Sequence, residues 1–228
     1  MGEAIVRRLV KDGHTVVFTY HARGTHAKKL AGETGAEAIL FDIRDRSSVD
    51  KLAAKISGES FDGLVNTAAS PIPSRELFTK TDPGQFIEYV AGELSALVRL
   101  SHAFVVKARK DRRAASIVNM LTAYTLGMPP GKLSAYVTLK YAMLGLTLSL
   151  ATDLAPHNIR VNAVSPSIAE TRFTSDIPKR WLEMEAEASP MKRLVTPEDV
   201  AFVVVFLLSP EAGYITGVNI PVAGGGVC

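Results

Sequence analysis

The chain has 228 residues and 47% hydrophobic content, enough for one domain with a sizeable core and too apolar for a disordered protein. Its formal charge of +3 is scattered rather than gathered into a basic run, which argues against nucleic acid as a partner and suits an anionic small molecule. The single cysteine, Cys228, is the last residue, so an internal disulfide framework is excluded and a reducing compartment, the cytoplasm, is expected.

Apolar residues at Ala4, Ile5, Leu9 and Val10 predict a helix over Gly2 to Lys11, stopped by Asp12-Gly13. The same stretch carries Glu3, Arg7, Arg8 and Lys11, so it lacks the unbroken apolar core of a secretory signal. Thr15 to Tyr20 reads as a strand, followed by a helix over about 25–33. Ala38 to Phe41 is a strand ending at Asp42, Ser47 to Ile56 a helix, and Phe61 to Asn66 the next strand. Thr81-Asp82-Pro83 starts a long helix from about Gly84 to Arg109. Ser116 to Leu121 is a buried strand ending at the hydroxyl of Thr122, residues 133–150 form one largely apolar helix, and Asn158 to Ser165 is a strand running into a turn at Pro166. Residues 171–196, with Trp181, Met184 and Met191, are the one excursion, and the alternation of Glu183, Glu185 and Glu187 gives them a solvated surface. Pro197-Glu198-Asp199 opens a buried helix over Val200 to Leu208, and Gly217 to Pro221 closes the sheet.

Strands and helices that alternate, with near-continuous apolar strands, describe an α/β fold: a doubly wound, Rossmann-like parallel sheet covered on both faces. No Pro/Gly-rich linker divides the chain, so residues 1–228 are expected to form one domain. The longest apolar run, Val200 to Leu208, is short of the ~20 residues needed to span a bilayer, and no membrane partner is expected. The histidines at 14, 21, 26, 102 and 157 show no paired spacing, so no metal is expected either.

Tyr136 and Lys140 are four apart on the 133–150 helix and therefore share a face. A phenol titrates near ~10 in water, and a fixed cation beside it favours the phenolate, so such a tyrosine can protonate an alkoxide or deprotonate an alcohol. The strand–helix–strand unit around it gathers Thr122, Tyr136 and the 166–171 loop at one edge of the sheet. At the end of the second strand of this fold an acid would take the ribose hydroxyls of NAD. Thr19-Tyr20-His21-Ala22-Arg23 has none there, and Arg23 suits a 2′-phosphate unless it merely faces solvent, so NADP is favoured over NAD.

Five segments occur in order: Asp62-Gly63-Leu64-Val65-Asn66, Ile117-Val118-Asn119, Tyr136 to Lys140, Ile159-Arg160-Val161-Asn162-Ala163-Val164 and Thr216-Gly217-Val218-Asn219-Ile220. With them the chain resembles, over nearly its whole length, a short-chain dehydrogenase/reductase of the 3-oxoacyl-carrier-protein reductase type. The resemblance implies hydride transfer between a nicotinamide and a carbonyl or alcohol carbon, with a small carbonyl or acyl-thioester substrate and a homodimer or homotetramer. It implies a catalytic set of Thr122, Tyr136 and Lys140. Asp42 and Ile43 would contact the adenine, Asn66 and Ala68 would line the pocket near the ribose, and Tyr136 and Lys140 would bind the nicotinamide ribose. Ile168 and Ala169, by their backbone, would hold the nicotinamide amide and the diphosphate together with Thr171. Asp42 and Asn66 also suit turn-stabilising roles at strand ends. The 171–196 excursion would be a substrate lid or a plain solvated helix.

The chain departs from that family at several places. Thr122 stands for its serine, one residue further from the tyrosine, and Glu93 stands for its asparagine, where a carboxylate can hold the same water or pair with Lys140. Asn66-Thr67-Ala68-Ala69, Pro166-Ser167 and Ala223 depart from its turns. Its first strand and Gly-rich phosphate turn are absent, Met1-Gly2 falling where the last glycine and helix begin. The expectations are a start lying upstream of Met1, a sheet with a gap between its second and fourth strands, and weak NADPH binding. A non-redox binding or scaffold protein, derived from a reductase that lost its dinucleotide site, is the alternative function.

Overall fold

The computed structural model describes residues 1–226, and Cys228 lies outside them. Helix α1 (Gly2–Lys11) has Glu3 in its first turn and Arg8 and Lys11 in its last, each matched to the helix dipole. Strand β1 (Val17–Tyr20) leads to α2 (Gly24–Thr34), which Gly35 ends in the left-handed region at φ 72°, and then to β2 (Glu37–Leu40). Asp45 caps α3 (Arg46–Gly58) by accepting from the Ser47 amide, and β3 (Gly63–Asn66) follows. Helix α4 (Pro83–Lys110) starts with Asp82 accepting from the Gln85 amide and proline in the first turn. Then come β4 (Ala115–Met120), α5 (Ser134–Leu154), β5 (Ile159–Pro166) and α6 (Lys179–Ala188). Helix α7 (Pro197–Leu208), with a Thr196/Asp199 capping box, and β6 (Asn219–Val222) complete the described chain.

All strand pairs are parallel. Every residue of β4 is buried, as a central strand between two helical layers requires. Side chains alternate across it: Ile117 joins Leu100 and Phe104 of α4 and Ile56 of α3, whereas Val118 joins Val200 and Val204 of α7 and Ile5 of α1. These two layers are the α/β, Rossmann-like arrangement. Helix α4 is long and apolar enough to cross a membrane by composition, but charged residues interrupt its apolar runs and it packs between α3 and α5.

The strands do not form one sheet. β3-β4-β5-β6 are joined in that order, while β1-β2 stand apart as a second, two-stranded sheet. The break falls where a central strand was expected to be missing, and it opens into a large cleft that both β1 and β3 line. In the 171–196 excursion, α6 buries only Leu182, and Trp181 is 63% exposed, so this helix is solvated.

Candidate active site

β4 and α5 build the centre of the site. Two residues beyond the end of β4, Thr122, 6% exposed, caps a short 3-10 segment, Ala123–Thr125. Helix α5 carries Tyr136 and Lys140, 9% and 5% exposed. The Lys140 Nζ lies 5.7 Å from the centroid of the Tyr136 ring and donates to the Met120 carbonyl oxygen at 3.0 Å. All three residues line the same cleft, of about 2700 Å³.

The electrostatics differ from the expectation that Lys140 lowers the Tyr136 pKa. Burial pushes the Tyr136 phenol up to about 12, with a hydrogen bond from Thr122 pulling the other way. Lys140 is itself pushed down to about 8 because its charge is buried, and the nearby Glu93 only partly offsets this. The physical reason is burial: the ammonium is turned toward a backbone carbonyl and is costly to keep charged, and the phenolate would be costly in the same way. Tyr136 is therefore a protonated phenol across the neutral range.

Glu93 is engaged by the loop after β3. It is 5% exposed, and its Oε1 accepts from the Ser70 backbone amide at 2.5 Å and from the Ser70 hydroxyl. Among the described residues it makes no ion pair with Lys140, and Ser70 ties the loop after β3 to α4. Beside it, the Tyr89 hydroxyl is the one buried side-chain polar atom without a hydrogen-bond partner among the described residues.

Asn66 and Ala68 line the cleft, as do Ile168, Ala169 and Thr171 from the loop after β5. The Asn66 side-chain amide is already engaged, donating to Asn119 Oδ1 at 2.8 Å, and Asn119 donates in turn to Thr147 Oγ1 at 2.9 Å. The loop after β5 is folded by Thr174, whose hydroxyl donates to the Ala169 carbonyl at 2.7 Å and accepts from the Thr171 amide. Asp42 and Ile43 stand outside the cleft lining. Asp42 is held by Arg44 at 3.2 Å and by His21 at 3.2 Å, with its carboxyl below its ordinary range through the Arg44 hydrogen bonds, and Ile43 packs on the core. Arg23 lines the cleft and makes no ion pair among the described residues.

Sequence reading missed the buried polar ties that hold the strand ends together. Ser165 donates to Asn219 at 2.7 Å, whose amide reaches Thr125 at 3.1 Å, locking β5, β6 and the turn after β4. Arg160 caps the end of α7, donating to the carbonyls of Leu207 at 2.7 Å and Ser209 at 3.1 Å. The available signal was polar residues inside otherwise apolar strands, since such groups are buried only with partners. Phe173 was also missed; its ring lies 5.9 Å from that of Tyr136 and brings the excursion onto the site. Arg75 and Asp176, 3.0 Å apart, bridge the same two loops at the mouth.

A family model described as enoyl-(acyl carrier protein) reductase matches residues 1–226. The chain is 34% identical over 223 residues to the cyclic-di-GMP-binding biofilm dispersal mediator protein of Escherichia coli (strain K12), covering 95% of this chain and 88% of that protein. It is 32% identical over 233 residues to a 3-oxoacyl-(acyl-carrier-protein) reductase of Aquifex aeolicus (strain VF5), covering 99% and 92%. A solved structure described as a short chain dehydrogenase/reductase family protein superposes with a TM-score of 0.85 at 28% identity, over 98% of this chain and 91% of that one. Parallel strands and helices that gather Thr122, Tyr136 and Lys140 in one cleft, matched over nearly the whole chain in sequence and in backbone, leave one assignment: the chain belongs to the short-chain dehydrogenase/reductase family and is one of its oxidoreductases.

Proposed function

We propose that residues 1–228 act as one domain that reduces a carbonyl of a ketone or acyl thioester, with NADP as the cofactor. The observation that carries this reading is the convergence of Thr122, Tyr136 and Lys140 in one cleft at the end of β4 and the start of α5. When bound, the reduced nicotinamide supplies the hydride. Thr122 donates a hydrogen bond to the carbonyl oxygen and fixes its direction. Tyr136, held protonated across the neutral range by burial, gives its phenolic proton to the same oxygen as charge develops on it. Lys140 binds the ribose and holds positive charge near the phenol. Phe173 packs its ring beside that of Tyr136.

The residues present suit the two ends of a dinucleotide better than its middle. Tyr136, Lys140, Ile168, Ala169 and Thr171 would hold the nicotinamide end, and Asn66 and Ala68 the adjoining ribose. Arg23, with no ion pair among the described residues, would take the 2′-phosphate, which supports NADP over NAD. Asp42 and Ile43 do not line the cleft and are not part of this proposal. The exposed Val98 of α4 and Tyr141 and Leu148 of α5 support a homo-oligomer built on these helices.

A second reading is favoured by the E. coli relative's description as a cyclic-di-GMP-binding protein and by the divided sheet: a binding protein without turnover. Titration of NADPH fluorescence, followed by turnover with ketones and 3-oxoacyl thioesters, separates the two. Saturable binding with substrate-dependent NADPH oxidation supports the reductase. Binding of cyclic-di-GMP without NADPH oxidation supports the alternative.

A further inference from the structure

Beside Tyr136 the cleft is walled by the loops after β3 and β5 and by the turn after β4. The walls there are mostly apolar: Ile72 and Tyr124 pack on Leu133 and Tyr136, and Phe173 and Ile177 line the same cleft. A carbonyl brought to Tyr136 therefore carries its carbon skeleton into apolar surroundings, where the few polar groups present set specificity. One of those groups is Arg75, whose side chain lines the cleft and is 34% exposed. Burial raises the phenols of Tyr89, Tyr124 and Tyr136, and the positive charge of Arg75 pulls each of them back. A guanidinium felt by three phenols is turned toward the site.

Arg75 is only partly engaged. Among the described residues it has one charged partner, Asp176, reached from Nε at 3.0 Å, and its Nη1 and Nη2 donate no hydrogen bond. The Asp176 side chain is 59% exposed, and an ion pair so open to water holds its partners weakly. Glu185 of α6 is the other anion that these elements bring to the cleft, and it is exposed and without an ion pair among the described residues. A wholly apolar substrate would strip water from the guanidinium without replacing it, and a cationic one would be repelled by it. A carboxylate fits, because its two oxygens match the fork of guanidinium donors and it can take the place of Asp176.

We infer that Arg75 is a specificity-determining residue, and that the ketone this site prefers is an oxo acid: a short apolar chain with its carbonyl at Tyr136 and a carboxylate that displaces Asp176 from Arg75. The inference rests on the reductase reading for the carbonyl, whereas the anion site can be read by binding alone.

The test compares 4-oxopentanoate and 5-oxohexanoate with their methyl esters, which keep the carbonyl and lose the charge. With NADPH, kcat/KM should favour the acid over its ester by about 10- to 100-fold for at least one chain length, the range of a charge-assisted pair, and added salt should reduce that ratio. Arg75→Met should bring the acid-to-ester ratio close to one; general damage to the fold would lower both rates and leave the ratio alone. Asp176→Asn removes the competing carboxylate and should raise kcat/KM for the acid severalfold. A wild type that treats acid and ester alike at both chain lengths, or an Arg75→Met variant that keeps the wild-type ratio, overturns the inference. If none of the four compounds is reduced, the reductase reading fails for them, and calorimetric titration of the two acids into the chain decides the anion site separately. Binding that Arg75→Met abolishes and Asp176→Asn strengthens upholds the site; no binding, or binding indifferent to Arg75, overturns it.

Discussion

The Lys140 ammonium lies 5.7 Å from the centre of the Tyr136 ring, yet its hydrogen bond goes to the Met120 carbonyl at 3.0 Å. β4 thus holds the lysine beside the phenol without a direct bond between them. Burial lowers Lys140 to about 8 from an ordinary 10.5. Its charge is present below about pH 8 and lost above it, so kcat/KM for carbonyl reduction should fall as pH rises through about 8. Between the two values the unfolded chain holds a proton that the folded chain has released, so this group's contribution to stability rises with pH across that window. Urea midpoints of the wild type and Lys140→Met at pH 7.5 and pH 10 check the sign: the wild type should gain on the variant at the higher pH.

Glu93→Ala should destabilise the chain by about 1–3 kcal/mol, because the buried Ser70 amide loses its acceptor. Glu93→Gln keeps an acceptor and should cost less, but it removes the anion that favours the Lys140 charge, moving the alkaline limb of activity to lower pH. Denaturant titration and a pH–rate profile read these effects separately. A limb that does not move in Glu93→Gln would rule out the electrostatic role.

Arg23→Glu should weaken NADPH by about 10- to 100-fold, the worth of one charge-assisted hydrogen bond, while leaving NADH within a factor of a few. Fluorescence titration with both cofactors measures the ratio. Equal losses for the two would show that Arg23 does not read the 2′-phosphate.

Leu148→Glu places a charge on the exposed apolar face of α5 without touching the core. Light scattering should show the wild type as a dimer or tetramer and the variant shifted toward monomer. A wild type that stays monomeric at micromolar concentration contradicts the assembly proposed for this face.

Much of the fold was legible because strand and helix patterns are local. The 133–150 helix appears as Ser134–Leu154, with Leu133 outside it, and the expected helix from Gly84 to Arg109 appears as Pro83–Lys110. The break in the sheet was also legible, since each remaining strand kept its own pattern. Long-range pairings were not. Nothing adjacent in sequence links Glu93 to Ser70, Arg75 to Asp176 or Phe173 to Tyr136, because each depends on how loops fold over a finished sheet. The burial that raises Tyr136 was illegible for the same reason: a Tyr-x-x-x-Lys spacing sets the distance between two groups but not the solvent around them. Asn119, read as a family motif residue, is a 1%-exposed bridge between Asn66 and Thr147.

The central claim is that Tyr136 supplies the proton in a carbonyl reduction. Tyr136→Phe removes one hydroxyl from a site whose packing is otherwise kept, so the most direct measurement is kcat for NADPH-dependent reduction of a 3-oxoacyl thioester by the wild type and this variant, with circular dichroism and NADPH titration on both. The account predicts matching spectra, NADPH affinities within a few-fold, and a kcat lower by about 10²- to 10⁴-fold in the variant. A variant that folds, binds NADPH and keeps most of its turnover would contradict it.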